Sequence, residues 1–300
     1  MKKTNQGLSS IFAIAKEMIP NHGEDSFYYR ADGDSFILAS MDGCGGSGSK
    51  KYENYSGKTG AYIASRAICG GIMAWFDESG NKDEISDYVN NALNVCKKYA
   101  DKSGRIMGSL GKAFPTTIAA LTGNFKKDCI ETTCYWAGDS RCYALDSAGL
   151  HQLTADDLDG QDAMSNLTND GAITNVVNAS TPFEIHTKVI SIKQPCFLFT
   201  ATDGCFGYLK SPMEFEYIIL ESLMKSNNIS EWKSCLDGYF RDVAGDDYTF
   251  CIAACGFDDF KHLKTSFIQR FSFLNNEYIN NTGDVNTLWN VYSKDYSIYL

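Results

Sequence analysis

The chain has 300 residues, and 27 Lys and Arg stand against 37 Asp and Glu, a formal net charge of −10 at pH 7. So acidic a chain lacks the basic footprint of a nucleic-acid or anionic-membrane binder, and four histidines leave little material for a histidine-built zinc site. A hydrophobic content of 44% and a charged content of 21% belong to a globular chain rather than a disordered one.

Taken in order, residues 8–16 and 25–30 alternate like strands, and Ala31-Asp32-Gly33-Asp34 is a hairpin turn signal. Residues 35–41 read as a buried strand ending at Asp42, followed by a Gly/Ser/Lys-rich loop from Gly43 to Lys51. Two helical patterns come next, on Ala61, Ala64, Ile68, Ile72 and Trp75, then on Ile85, Tyr88, Val89, Leu93 and Cys96. The period then changes. Thr116–Leu121, Cys129–Ala137, Arg141–Leu145, Leu150–Leu153, Val189–Ile192 and Phe197–Ala201 read as short antiparallel strands. Ser211-Pro212 opens a helix over about 212–225, a second spans about 230–242, and Tyr248–Ala254 is a last strand. The tail from about 258 is mixed aromatic and polar and reads as helix. Strands in two batches, each followed by a helix pair, predict an α+β fold.

The eleven cysteines are odd in number, form no C-x-x-C pair and sit mostly in apolar stretches. They read as free thiols of a reducing compartment, so the expected location is cytoplasmic. Met1-Lys2-Lys3 and the apolar stretch Leu8–Ala15 have the outline of a signal peptide, but Lys16 and Glu17 end it early and Ser9 and Ser10 suit a strand. No run reaches the length of a membrane span.

Acidic residues recur where strands meet turns: Glu24-Asp25, Asp42-Gly43, Gly138-Asp139-Ser140-Arg141, Asp203-Gly204 and Asp246-Asp247. Any one of them is an ordinary turn. Together they form the kind of oxygen-donor set that hard divalent cations require, drawn from separate strands because one short segment cannot surround two ions.

In order and texture these motifs resemble the metal-dependent type 2C (PPM-type) serine/threonine protein phosphatases. Glu24-Asp25 matches the family's E-D pair, and Asp42-Gly43-Cys44-Gly45-Gly46 its D-G-x-x-G. Pro115-Thr116-Thr117 stands for G-[ST]-T, Gly138-Asp139-Ser140-Arg141 with Gln152-Leu153-Thr154 for G-D-S-R and q-L-T, and Thr202-Asp203-Gly204 for [ST]-D-G. Asp246-Asp247-Tyr248-Thr249 matches the closing D-[DN]-x-[ST]. The resemblance spans roughly residues 8–256 and implies a four-layer αββα sandwich, two antiparallel β-sheets flanked by helix pairs. It implies a catalytic domain over 1–257; the aromatic-rich tail, 258–300, reads from its composition as an extension packed on the same domain, with a docking segment for a kinase or partner protein as the alternative.

The resemblance also implies roles. Asp42 would bridge two divalent cations, Mn²⁺ or Mg²⁺, with the Gly43 carbonyl completing one shell and Asp203 and Asp246 ligating the other ion. Asp139 would join Asp203 in a third, weaker metal site, Glu24 and Asp25 would hold waters on the ions, and Ser140 and Arg141 would be structural. A metal-bridging hydroxide would hydrolyse phosphoserine or phosphothreonine on a protein substrate, opposing a Ser/Thr kinase. The two divalent ions would bring the formal balance from −10 to −6.

Two positions depart from the pattern. The family's phosphate-gripping arginine, four residues before the Glu of the E-D pair, is Pro20 here, with His22, Arg30 or Lys16 as nearby substitutes. The family's D-G-H histidine, its general acid, is Cys44, which two adjacent cations would push toward thiolate, or which is simply a small tolerated residue. These departures feed a second reading, a degenerate phosphatase-like domain that binds phosphoproteins or a partner with little turnover.

Other motifs fail on context. Gly43-Cys44-Gly45-Gly46-Ser47-Gly48 fits G-x-G-x-x-G, but Lys50–Ser56 delays the helix and a second helix stands where a strand should follow. Ser56-Gly57-Lys58-Thr59 lacks the upstream glycine of a P-loop. Asp156-Asp157-Leu158-Asp159-Gly160 lacks the closing glutamate of a calcium loop, with Asn166 in its place, and reads as a solvated turn near the site's rim.

Overall fold

The computed structural model describes residues 7–100, 112–159, 162–168 and 171–300; Met1-Lys2-Lys3 and Gly160, invoked above, lie outside them. The chain runs β1 (Leu8–Lys16), β2 (Ser26–Asp32), β3 (Ser35–Met41), a small hairpin of β4 (Lys51–Tyr52) and β5 (Lys58–Thr59), α1 (Gly60–Glu78) and α2 (Ile85–Tyr99). It continues with β6 (Ile118–Phe125), β7 (Cys129–Ala137), β8 (Arg141–Leu145), β9 (Leu150–Gln152), α3 (Ser165–Thr168), β10 (His186–Lys193) and β11 (Cys196–Ala201). The last elements are α4 (Pro212–Lys225), α5 (Ile229–Val243), β12 (Tyr248–Cys255), α6 (Phe260–Leu274) and α7 (Val285–Tyr296). Ser211 caps α4 as expected, accepting from the Glu214 N–H, and Thr59 caps α1.

Two five-stranded antiparallel sheets carry the fold, in the orders β1-β12-β11-β8-β9 and β10-β7-β6-β3-β2. The period-2 alternation of a strand sorts its residues into layers. In β3, Ile37, Ala39 and Met41 face α1 and α2, while Phe36 and Leu38 face the opposite sheet. In β11, Phe197, Phe199 and Ala201 face the C-terminal helices, and Cys196 and Leu198 face inward. The result is the four-layer αββα sandwich, an α+β fold. Cys134, Cys142, Cys196, Cys251 and Cys255 lie between the sheets as small apolar fillers, and all eleven cysteines are free. Among the described residues no helix is long and apolar enough to cross a membrane.

Structure and sequence differ at three elements, one of them α3, a single turn at Ser165–Thr168 too short to show a helical period. The β4–β5 hairpin was not foreseen, since two-residue strands leave no periodicity to read. Strand β10 starts at His186 rather than Val189, because pairing with Trp136 of β7 extends it beyond its apolar run.

The tail helices close the outer face of the first sheet. Leu263, Phe267, Leu274, Trp289, Tyr292 and Tyr296 share one buried cluster with Phe197, Phe199 and Phe215. Inside it Glu216 is fully buried, and its carboxylate accepts from Arg270 Nε at 2.6 Å and Nη2 at 2.7 Å and from the Tyr292 hydroxyl at 2.6 Å. Removing one partner of such a pair strands a buried charge. Arg270→Met is predicted to lower unfolding free energy by about 3–5 kcal/mol, read in urea, with Glu216→Leu added on top restoring much of the loss. A second tie carries a pH dependence. Both ring nitrogens of the buried His151 face acceptors, the Asp295 carbonyl at 2.6 Å and Asp146 Oδ1 at 3.4 Å, so only the imidazolium donates to both. Burial opposes its charge, but Asp146 and that carbonyl win and raise its pKa above 6.5. A raised histidine stabilises fully below its unfolded pKa and loses that contribution as pH rises through its folded value. The stability deficit of His151→Gln is therefore predicted to shrink from pH about 6 to about 9; a constant deficit contradicts this.

Candidate active site

Strand register puts every predicted acidic position at one edge of the sandwich. In one sheet the end of β3 lies beside the start of β2, Met41 opposite Ser26, so Asp42 emerges next to Asp25. In the other sheet Ala201 pairs with Arg141 and with Phe250, which brings together Asp203 after β11, Asp139 before β8 and Asp246 before β12. A buried hydrogen bond between Ser40 and Thr200 hydroxyls, 2.8 Å, joins the two sheets just behind that edge.

Hydroxyl side chains and glycines fix the acids. Asp42 N–H donates to Thr117 Oγ1 at 3.0 Å, and its carbonyl accepts from Thr117 N–H at 2.7 Å and Thr116 Oγ1 at 2.8 Å. Thr117 Oγ1 in turn bonds Ser140 Oγ at 2.7 Å, and Thr202 Oγ1 donates to Asp25 Oδ2 at 2.9 Å. A β-carbon at Gly43 would meet the Ala61 carbonyl oxygen at 2.6 Å, and one at Gly204 would strike the Asp247 carbonyl. Those two glycines therefore let the loops pack where the aspartates need them. The last acidic pair divides its work. Asp246 is exposed and lines the cleft, whereas Asp247 accepts from the backbone N–H of Met18 and of Glu24, each at 2.7 Å.

A cleft of about 780 Å³ opens on Glu24, Asp42, Gly43, Cys44 and Asp246, and a neighbouring one of about 390 Å³ on Asp139 and Asp203. Burial and mutual repulsion strain this edge. Asp42 is raised well above the carboxylate range by burial and then by Asp25, Asp203, Asp139 and Asp246. Burial pushes Asp25 up to about 7 against the pull of Thr249 and Thr202, and pushes Asp139 up to about 8 with help from Asp203. Burial raises Asp203 too, with Asp246 adding to the effect and a hydrogen bond to Asp42 opposing it. Glu24 is raised by burial in spite of its hydrogen bond from Thr59.

These residues suit a divalent cation by chemistry. The donors are hard oxygens, and Asp139 Oδ1 is buried without a hydrogen-bond partner. They are not drawn into a finished shell: among the described residues no three or more His, Cys, Asp or Glu side chains stand grouped to hold a metal ion. Like charges at this edge gain by keeping apart.

The residues that depart from the family pattern are also placed. Pro20 is exposed in a turn, and none of its three substitutes lines the cleft: His22 bonds the Pro20 carbonyl, Arg30 pairs with Asp77 at 2.6 Å, and Lys16 lies in a separate hollow beside Arg66. Cys44 lines the cleft, and burial, followed by Asp42 and Asp139, raises its thiol well above the usual range, with Lys112 pulling the other way. The thiolate expected beside cations is not the form this environment favours by itself. The reading of the acidic stretch after Thr154 as a solvated turn is corrected for Asp156 and Asp157, whose side chains turn inward, while Asp159 is exposed. Asp156 is nearly fully buried and takes a two-pronged bond from Arg141, at 2.8 and 2.6 Å. Asp157 accepts from Gly138 N–H and faces His186, both at 2.9 Å. Sequence reasoning missed Lys112, which lines the cleft but belongs to no motif.

No family model and no curated protein matches the sequence. Solved structures do match. The PPM Ser-Thr phosphatase MsPP from Mycobacterium smegmatis, in complex with cacodylate, aligns at a TM-score of 0.59 and 14% identity over 83% of this chain and 99% of that one. The chain has the PPM phosphatase fold. The catalytic domain of the serine/threonine phosphatase PstP with two manganese ions aligns at 0.54 and 17% identity, over 83% of this chain and 98% of that one. RsbX with magnesium aligns at 0.55 and 18%, over 84% and 98%. The PPM fold thus accounts for the sheets, and its solved examples include both Mn²⁺ and Mg²⁺.

Because the cluster opposes itself, Asp139→Asn is predicted to be more stable than wild type in chelator, by on the order of 1 kcal/mol. Mn²⁺ is predicted to raise the Tm of wild type by mass action and to raise that of Asp42→Asn far less. An unchanged wild-type Tm across a Mn²⁺ titration would mean the edge does not gather cations.

Proposed function

We propose that this chain is a metal-dependent protein phosphatase that hydrolyses phosphoserine and phosphothreonine, countering a Ser/Thr kinase. The observation that carries the reading is the convergence of Asp42, Asp139, Asp203 and Asp246 at one edge of a PPM fold. Asp42, the Gly43 carbonyl, Asp203 and Asp246 would hold two divalent cations, Mn²⁺ or Mg²⁺, and Asp139 with Asp203 a third, weaker one. When bound, such cations supply Lewis-acid charge to phosphoryl oxygens and acidify water.

The chain's own residues do the positioning. Thr116 and Thr117 hold the Asp42 backbone from both sides, and Thr202 orients Asp25. Glu24, which lines the cleft, is oriented by Thr59 and by Asp247 and presents an acceptor to water there. The departing serine or threonine oxygen needs a proton. Cys44 holds the position of the family's general acid, and a thiol raised by burial gives up its proton less readily at neutral pH than an imidazolium. Residues 1–257 would be the catalytic domain and 258–300 its packed extension, with the cell interior as the site of action.

The second reading, phosphoprotein binding with little turnover, draws on Pro20, which offers no guanidinium where the family has one. One assay separates the two. Wild type with Mn²⁺ is expected to turn over p-nitrophenyl phosphate and a phosphothreonine peptide, and Asp42→Ala or Asp203→Ala to lower kcat/KM more than about 100-fold. Cys44→His is expected to raise the rate near neutral pH. Well-folded wild type without Mn²⁺-dependent turnover contradicts the enzyme reading and favours the binding one.

A further inference from the structure

A phosphoryl dianion entering this cleft meets Glu24, Asp42, Asp246 and Asp247, so a cationic side chain there favours its binding beyond what any metal supplies. Among the described residues that line the cleft, Lys112 is the one cation.

Neighbouring cations are engaged elsewhere. Arg66 donates to the Gly23 carbonyl at 3.0 Å and stacks on the Tyr62 ring, 3.5 Å from its centroid. Lys58 Nζ donates to the Asn21 carbonyl at 2.6 Å, and Arg141 is locked on Asp156. Lys112 has no carboxylate partner among the described residues, and its side chain is half-buried rather than free in solvent.

Its backbone is tied to both walls of the cleft. Lys112 N–H donates to the Ser47 carbonyl at 3.0 Å, on the loop that follows Asp42, and Cys44 N–H donates to the Pro115 carbonyl at 3.2 Å. On the other side Ala113 N–H donates to Ser180 Oγ at 2.8 Å, and Thr116 N–H donates to the Val177 carbonyl at 2.9 Å. The segment 112–116 is thus stitched between the Asp42 loop and the wall carrying Ile173 and Val176, with Lys112 lining the cleft.

We propose that Lys112 is the phosphate-binding cation of this site, doing from the segment before Thr116-Thr117 what an arginine at position 20 would do from the β1–β2 loop. The proposal rests on the phosphatase reading for its physiological substrate but not for its test. An ammonium binds phosphate as a point charge rather than through a two-pronged fork, so the site accepts a phosphoryl group with less demand on its orientation.

Calorimetric titration of inorganic phosphate into the Mg²⁺-loaded full chain tests it, alongside KM and kcat for p-nitrophenyl phosphate. Lys112→Ala is expected to weaken phosphate binding about 10- to 100-fold and to raise KM more than it lowers kcat. Lys112→Arg should keep binding within about threefold of wild type. Arg30→Ala, at the exposed pair with Asp77, should change nothing. Phosphate affinity unaltered in Lys112→Ala, or a wild type that does not bind phosphate, overturns the proposal. Phosphate binding that depends on Lys112 without any Mn²⁺-dependent turnover supports the proposal while the enzyme reading fails.

Discussion

Crowding of buried carboxylates at the end of two packed sheets is the constraint on which the other features depend. Five aspartates leave five strand ends, and four of them are held above the ordinary carboxylate range chiefly by burial. A fold gains nothing from such an arrangement by itself, because each desolvated charge opposes the next. What tolerates it is a layer of buried hydroxyls directly behind the acids: Ser40, Thr116, Thr117, Ser140, Thr200 and Thr202 are all essentially inaccessible. Their bonds fix backbone and side chain without adding charge, and the Ser40–Thr200 bond holds the two sheets in step where the acids emerge.

Away from the edge, the structure spends its polar groups on closure. The acidic stretch after Thr154 is drawn in by Arg141 and His186, which anchors the wall that carries Ile173 and Val176. Tyr296 on α7 donates to Gln152, and Gln152 donates to the Thr154 carbonyl and to Asp156. A continuous set of hydrogen bonds therefore runs from the last helix to Arg141, two residues from Asp139. The tail is part of the scaffold behind the site, and Glu216 with Arg270 and Tyr292 fastens it.

Much of this was legible in the sequence. Strands such as Ser35–Met41 and Cys196–Ala201 are short apolar runs bounded by turn residues, and α1 and α2 carry clean helical spacing. The acids were found because Asp-Gly and Asp-Ser at strand ends are local signals repeated in order. The features that escaped are those settled by distant partners. The fate of Asp156 and Asp157 depends on Arg141 and His186, 15 and 29 residues away, so two carboxylates of a stretch that looked solvated turn inward. The split between exposed Asp246 and bracing Asp247 depends on amides at positions 18 and 24. Lys112 was invisible because one lysine in a loop has no pattern, and only the folding of 112–116 against Ser47 and Val177 gives it a place.

Charge holds these carboxylates apart from one another, and on the proposed function divalent cations would draw them together. Crystals soaked in Mn²⁺ and measured at the manganese absorption edge test it most directly. The account predicts two anomalous peaks in the cleft with Asp42 between them and Asp203 and Asp246 on one. An edge free of manganese at saturating concentration, or manganese bound only at other acids on the surface, would contradict it.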